Sequence, residues 1–344
     1  MKEFSHGGQV EQFSKELNCS VDEIIDLSSN INFLKPSIKL DFNTLDISSY
    51  PTYDKLYSKI ANRYNVDVEN IELYNGGSSA IFSLFNHLNL SYCTVYSPAY
   101  LEYKKACKIY NYTYDSINRF ENITRAVHEN SLVVFVNPST PEGKFYDIEE
   151  FLEAWDKLNC TVLIDESFLD FTNFPSVSRY INKYKNLYIL KSMTKFYSCA
   201  GVRCGTIISS KENIAKLKEN EPMWKLSHFD SCYLQEALND KLFAKTSKAI
   251  NIKNHLLLKK VLEDSPIFTK VFSSDSNFLL AKLKNIKAST LQEHLKEYKI
   301  MIRDCSNFEY LDDSYVRIAV KSEKSIFILK ESISRLGLMK NLSA

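Results

Sequence analysis

Three residue types that together can handle an amine substrate lie close together in this chain. Lys195 stands in Ser192-Met193-Thr194-Lys195, and Gly201-Val202-Arg203-Cys204-Gly205 begins six residues later. Upstream, the apolar run Thr161-Val162-Leu163-Ile164 ends in Asp165. A lysine amine can form an imine with an aldehyde. A carboxylate can pair with a pyridine nitrogen and keep it protonated, so that the ring withdraws electrons. A serine and an arginine, here Ser192 and Arg203, can grip a phosphate. Aldehyde, ring nitrogen and phosphate are the three handles of pyridoxal 5′-phosphate, the cofactor this set would hold. Taken singly, each residue also has a plainer reading. Lys195 can be a surface lysine, and Asp165 a helix N-cap after a strand.

Glycine usage points to the same places. The chain has 8 glycines in 344 residues, about a third of the usual frequency. Seven of the 8 fall in four short clusters: Gly7-Gly8, Gly76-Gly77, Gly143, and Gly201 with Gly205. A chain sparing with glycine keeps it where a Cβ would block a conformation or a close approach. The remaining one, Gly337, follows a helical stretch and reads as a C-cap.

Composition sets outer bounds. At 44% apolar and 25% charged residues the chain can bury a sizeable core. Its 43 basic and 42 acidic residues leave a net charge of +1, which gives no sign of a nucleic-acid partner or a membrane surface. The N-terminus shows no apolar signal segment and no stretch long enough to span a bilayer, so the expected compartment is the cytoplasm. The 8 cysteines are then expected as reduced thiols. The 6 histidines are scattered without metal-ligand spacing.

The elements that must position these residues alternate. Tyr53 to Tyr64 and Ala80 to His87 read as helices, as do Tyr100 to Tyr110 and Asp147 to Leu158. Strands are predicted at 94–96, 132–136, 161–164, 187–190 and 206–208. Buried strands alternating with helices indicate a mostly parallel sheet covered on both faces, with ligands at the carboxyl ends of the strands. After about residue 235 the character changes. A long helix, Leu242 to Leu262, leads into strands at 277–280, 301–303 and 315–320 and a closing helix from Ser325 to Leu336. The division expected is an N-terminal arm and part of a small domain (1–45), a large cofactor-binding domain (46–235) and a small α+β domain (236–344).

The motif set resembles the fold type I pyridoxal-phosphate enzymes of the aspartate aminotransferase superfamily. Within them it is most similar to the histidinol-phosphate aminotransferase branch and to the L-threonine-O-3-phosphate decarboxylases of cobalamin synthesis. The resemblance runs from His6 to about Ser332. It is carried by His6-Gly7-Gly8, Asp26-Leu27-Ser28-Ser29-Asn30-Ile31-Asn32, Lys191-Ser192-Met193-Thr194-Lys195-Phe196-Tyr197, and Ile302-Arg303-Asp304-Cys305-Ser306-Asn307-Phe308 with Arg317 beyond. The lysine motif is widely shared among aminotransferases; the His6 and Arg303 segments favour the decarboxylases.

That resemblance implies a fold and a set of roles. The fold would be α/β, with a mostly parallel seven-stranded sheet between helices and a smaller α+β domain. Lys195 would carry the cofactor and Asp165 would pair with its ring nitrogen. Gly76, Gly77 and Ser78 would open a helix toward its phosphate, and Ser192 and Arg203 would complete the cup. Tyr100 would stack on the ring, although a core role fits it as well. Tyr50 would reach the phosphate of a neighbouring subunit, implying a homodimer with shared active sites. Arg317 would receive a substrate carboxylate. Arg303, His6 and Asn30 are candidates for the substrate's phosphate and carboxylate. Trp224 reads as core.

The chain departs from the branch at several points. Where its members have Asn-Asn-Pro-Thr-Gly, this sequence has Asn137-Pro138-Ser139-Thr140-Pro141-Glu142-Gly143, which puts Thr140 in place of the asparagine that donates to the ring hydroxyl. Phe168 replaces the usual tyrosine, as in the decarboxylases, and Ser227 stands where the branch has an asparagine. The expected enzyme is a pyridoxal-phosphate-dependent carboxy-lyase acting on L-threonine phosphate or L-serine phosphate. The alternative is an aminotransferase acting on a phosphorylated substrate. The same lysine and carboxylate serve both reactions. Which bond breaks depends on which substituent of the α-carbon is held perpendicular to the ring.

Overall fold

The computed structural model describes residues 7–342, so His6 lies outside the described residues. In chain order its strands are β1 (Ile25–Asp26), β2 (Ile71–Tyr74), β3 (Tyr92–Ser97), β4 (Thr113–Asn118), β5 (Leu132–Val136), β6 (Thr161–Asp165) and β7 (Leu187–Lys191). There follow β8 (Gly205–Ile208), β9 (Phe268–Val271), β10 (Phe278–Leu283), β11 (Ile300–Met301), β12 (Arg303–Asp304) and β13 (Tyr315–Ala319).

Seven of these form one sheet in the order β2-β8-β7-β6-β5-β3-β4. β8 runs antiparallel to both its neighbours and the remaining pairings are parallel. The central strands form because their residues suit burial on both faces. β5 is Leu-Val-Val-Phe-Val and every one of its side chains is buried. Successive side chains alternate across the sheet. Val133 and Phe135 join one core with Ile164, Ile189, Trp155 and Phe196. Val134 and Val136 join another, with Leu163, Leu190 and the helix residues Leu84 and Phe85.

A second sheet has the order β12-β13-β10-β9 and is antiparallel throughout. Its outer face buries a third core. Leu258, Val261 and Leu262 of the long helix Lys241–Glu263 meet Leu291 and Leu295 of Ala288–Lys296 and Ile326, Leu329 and Ile333 of Glu323–Leu342. The N-terminal segment is tied here, through the short parallel pair β1–β11 and the bond from Ala319 N to Leu27 O at 2.8 Å.

Several expectations shift. β2, β4 and β9 have no counterpart in the pattern reading. The Gly76–Leu88 helix starts at the glycine pair instead of at Ala80. Gly337 lies inside the helix Glu323–Leu342 and caps nothing. Beyond Leu27 the chain leaves the sheet, and Asn32 turns inward and donates to Phe196 O at 2.8 Å.

Candidate active site

The carboxyl edge of the seven-stranded sheet gathers the chemistry. Asp165 is the last residue of β6, Ser192 follows β7, Thr140 lies after β5, Tyr100 after β3, and Gly76 opens the helix after β2. Because β8 runs the other way, its beginning reaches this edge, bringing Arg203 and Gly205. A cavity of ≈ 300 Å³ lies between this edge and the four-stranded sheet. Gly77, Ser78, Tyr100, Thr140, Asp165, Ser192, Lys195 and Arg203 line it from one side, and Asn30, Arg303 and Arg317 from the other. A larger hollow of ≈ 430 Å³ between residues 171–174, 251–259 and 274–277 holds none of them; chemistry, not size, picks out the site.

One corner is shaped for a phosphate. The helix Gly76–Leu88 begins with no acidic residue in its first turn, so its free N–H groups and dipole favour an anion. Gly76 has a φ of 86°, and a Cβ there would strike the Arg203 guanidinium. A Cβ on Gly205 would stand 2.6 Å from the backbone of both Gly76 and Gly77. Glycine at 76 and 205 therefore lets the helix start, the arginine and β8 converge. The Ser192 side chain lies beside Gly77, and Ser78 Oγ and Tyr100 OH are 3.2 Å apart.

The floor is Asp165, 4% exposed. Its Oδ1 accepts from Ser167 N at 2.9 Å and its Oδ2 from the Tyr103 hydroxyl at 2.7 Å. Two donors fix the direction in which the carboxylate points. Tyr103 was not singled out in the sequence; it sits inside an aromatic helix, where a buried core tyrosine is the ordinary reading. Burial and Asp165 raise its phenol well above the usual value, so it stays a donor.

Lys195 lies on the four-residue helix Met193–Phe196, its Nζ 4.8 Å from the Phe168 ring centre. Burial lowers its ammonium from the ordinary value, Asp165 opposes, and Arg317 and Arg203 push the same way as burial. Its backbone carbonyl accepts from Asn32 N at 3.0 Å.

On the facing sheet, Arg303 and Arg317 are direct cross-strand partners, 7% and 8% exposed. Arg317 Nη1 donates to Thr140 Oγ1 and Nη2 to Ser28 O, both at 3.0 Å, while its buried Nε has no hydrogen-bond partner. Burial pushes Arg317 down to about 10, and Arg303 adds to the fall. Arg303 Nη2 donates to Asn307 Oδ1 at 2.7 Å. Asn30 is held by Asn277 Nδ2, which donates to its carbonyl at 2.9 Å, and its own buried Oδ1 has no hydrogen-bond partner. A threonine hydroxyl has one proton; since Thr140 accepts from Arg317, that proton is left to donate into the cavity.

Three residues fall elsewhere. Tyr50 is exposed on the surface, stacked on Trp224 with ring centres 4.1 Å apart. Trp224 is therefore not a core residue; it is 49% exposed. Ser227 caps the helix His228–Asn239, accepting from Asp230 N at 3.0 Å, and does not line the cavity.

A helix start shaped for a phosphate, a buried carboxylate with fixed donors and a lysine with a lowered ammonium fit pyridoxal 5′-phosphate. Together with the mixed seven-stranded sheet they define a fold type I pyridoxal-phosphate enzyme. The chain belongs to the class I and II aminotransferases, whose family model matches residues 22–333, and pyridoxal 5′-phosphate is the cofactor of that family. It is 30% identical over 344 residues to the adenosylcobalamin biosynthesis bifunctional protein CobDQ of Leptospira interrogans. That match takes in 92% of this chain but only 39% of the bifunctional protein's length. It is also 30% identical to a putative threonine-phosphate decarboxylase of Caldanaerobacter subterraneus subsp. tengcongensis, over 98% of this chain and 95% of that protein. The solved histidinol-phosphate aminotransferase of Clostridium acetobutylicum superimposes with a TM-score of 0.79 at 28% identity, covering 91% of this chain and 99% of that one.

Proposed function

We propose that this enzyme decarboxylates an O-phospho-L-amino acid, L-threonine phosphate or L-serine phosphate, releasing CO₂ and a phosphorylated amino alcohol. The observation that carries the reading is the facing pair Arg303 and Arg317. Two buried guanidiniums directly opposite one another repel. A substrate bearing a carboxylate and a phosphate offers an anion to each arginine, and the 30% identical relative named as a putative threonine-phosphate decarboxylase supports such a substrate.

In this reading Arg317 takes the carboxylate, and Arg303, with Asn30 and His6, takes the phosphate. Lys195 would carry the cofactor and return a proton to the α-carbon. Asp165 would pair with the ring nitrogen, and Gly76, Gly77, Ser78, Ser192 and Arg203 would hold the cofactor phosphate. Thr140 would donate to the ring hydroxyl, and Tyr100 would face the ring. When bound, pyridoxal phosphate supplies the sink for the electron pair left behind by CO₂. The active unit is a homodimer in which a second copy covers the exposed Tyr50–Trp224 stack, bringing Tyr50 to the neighbouring cofactor phosphate.

The second reading is an aminotransferase acting on a phosphorylated substrate, favoured by the 28% identical histidinol-phosphate aminotransferase structure. Product analysis separates them. The cofactor-loaded enzyme is given L-serine phosphate or L-threonine phosphate, with and without 2-oxoglutarate. CO₂ and a phosphorylated amino alcohol formed without the keto acid support the decarboxylase. Turnover only with 2-oxoglutarate, yielding glutamate, replaces it with the aminotransferase.

A further inference from the structure

We propose that Glu309 is a positioning residue for the substrate wall. Its carboxylate clasps the Arg303–Phe308 side of the cavity to the strand end that carries Tyr100. The proposal rests on the reading above, in which Arg303 faces the anionic tail of the substrate.

The clasp is drawn from one sheet onto the other. Glu309 Oε2 accepts from Ser97 Oγ at 2.9 Å and from the Tyr114 hydroxyl, and Oε1 pairs with Lys104 Nζ at 3.0 Å. Ser97 ends β3 three residues before Tyr100, Tyr114 lies on β4, and Lys104 lies on the helix Glu102–Ile109 just after Tyr100. On its own side Glu309 directly follows Phe308, which lines the cavity. The Arg303 guanidinium sits 5.1 Å from the Phe308 ring centre and donates to Asn307. A further tie comes from the Tyr310 hydroxyl, which donates to Ser116 O on β4 at 3.1 Å.

An exposed ion pair alone would contribute little. Here one half-buried carboxylate takes two hydroxyl donors as well as an ammonium, and charge-assisted bonds of this kind are the strong ones. Tyr310 is held at φ 65°, a left-handed conformation that a tyrosine keeps only where its surroundings fix it. The segment 303–310 therefore bridges both sheets across the mouth of the cavity. The clasp sets the distance between the Tyr100 element, on the cofactor side, and Arg303, on the substrate side. The bonds of Glu309 go to Ser97, Tyr114 and Lys104 and not to the Gly76–Gly77 corner or Asp165, so losing them should loosen substrate binding and leave cofactor binding alone.

The test uses the cofactor-loaded enzyme with Glu309→Ala, Glu309→Gln, Lys104→Met and the double variant Glu309→Ala/Lys104→Met. Hydrogen exchange of 303–311 without substrate reads the clasp itself. KM and kcat for the phosphorylated amino acids read its effect, and calorimetric affinity for inorganic phosphate does so without turnover. Glu309→Ala is expected to speed exchange and to raise KM and the phosphate dissociation constant roughly tenfold, the scale of one charge-assisted contact. It should leave kcat and the cofactor absorbance nearly unchanged. Glu309→Gln keeps acceptors for Ser97 and Tyr114 and should recover much of the loss, and the double variant should be no worse than Glu309→Ala. Unchanged exchange in Glu309→Ala overturns the clasp whatever the substrate is. Faster exchange with unchanged KM and phosphate affinity overturns the positioning role. If wild type turns over neither phosphorylated amino acid, the functional reading falls, and the exchange and phosphate comparisons still decide on Glu309.

Discussion

The Tyr103 hydroxyl donates to Asp165 Oδ2 at 2.7 Å, beneath the cavity floor. The donor comes from the helix Glu102–Ile109 and the acceptor from the end of β6, so the carboxylate is fixed by an element other than its own strand. Tyr103→Phe removes the donor and leaves a buried acceptor short of a partner. The expected loss is about 1–2 kcal/mol of stability in the cofactor-free protein, measured by urea unfolding, with a shift in the pH dependence of the bound cofactor's absorbance. A variant matching wild type in both would remove Tyr103 from the support of Asp165.

Lys195→Met should abolish the absorbance of the lysine-bound cofactor, and with it turnover. It also gives a pH test in the cofactor-free protein. Burial lowers the Lys195 ammonium in the folded state, so the unfolded chain binds the proton more tightly. Wild type is then penalised relative to Lys195→Met at neutral pH, and the penalty fades as pH rises toward the ordinary lysine value of about 10.4. Unfolding free energies of both proteins from pH 7 upward check the sign; a difference independent of pH contradicts it.

Gly205→Ala places a methyl group against the backbone of Gly76 and Gly77, both within 2.6 Å. Neither neighbour is a flexible side chain, so the helix start has to move. The expected cost is about 1–3 kcal/mol, read as weaker pyridoxal phosphate binding in a titration. Gly201→Ala is the control, because a Cβ at Gly201 meets nothing within 4 Å; its affinity should match wild type.

Arg317→Ala removes the donor to Thr140 Oγ1 and Ser28 O together with the proposed carboxylate partner. A loss of about 2–5 kcal/mol in kcat/KM is expected for the carboxylate-bearing substrate. Binding of O-phosphoethanolamine, which has no carboxylate, should change far less. Equal losses for both ligands would assign Arg317 to general architecture.

Much of the site was legible because its residues sit where chain direction is written plainly. Asp165 closes an apolar strand, Lys195 and Arg203 flank a short loop, and Gly76 and Gly205 mark close approaches. Arg303 and Arg317 were visible as candidates, but their pairing across β12 and β13 depends on a register no local pattern encodes. Tyr103 and Glu309 were hidden for a similar reason, since each acts through a partner distant in sequence. Among the elements, the missed β4 is Thr-Tyr-Asp-Ser-Ile-Asn, an edge strand with one buried side chain. An edge needs no apolar face on both sides, so its hydrophobic signal is faint. The helix at Gly76 was read four residues short because two glycines are poor helix formers; the anion-shaped helix start required them there.

The reversed direction of β8 has one more effect. β7 and β8 are bonded neighbours, with Lys191 opposite Thr206, so the connection from Ser192 to Arg203 leaves and re-enters the sheet at the same rim. Lys195 rides on a short span pinned at both feet, each foot carrying one of the proposed phosphate grips. The length of that span works as a ruler: adding or deleting a single residue between the feet would change the reach of the lysine relative to both grips at once.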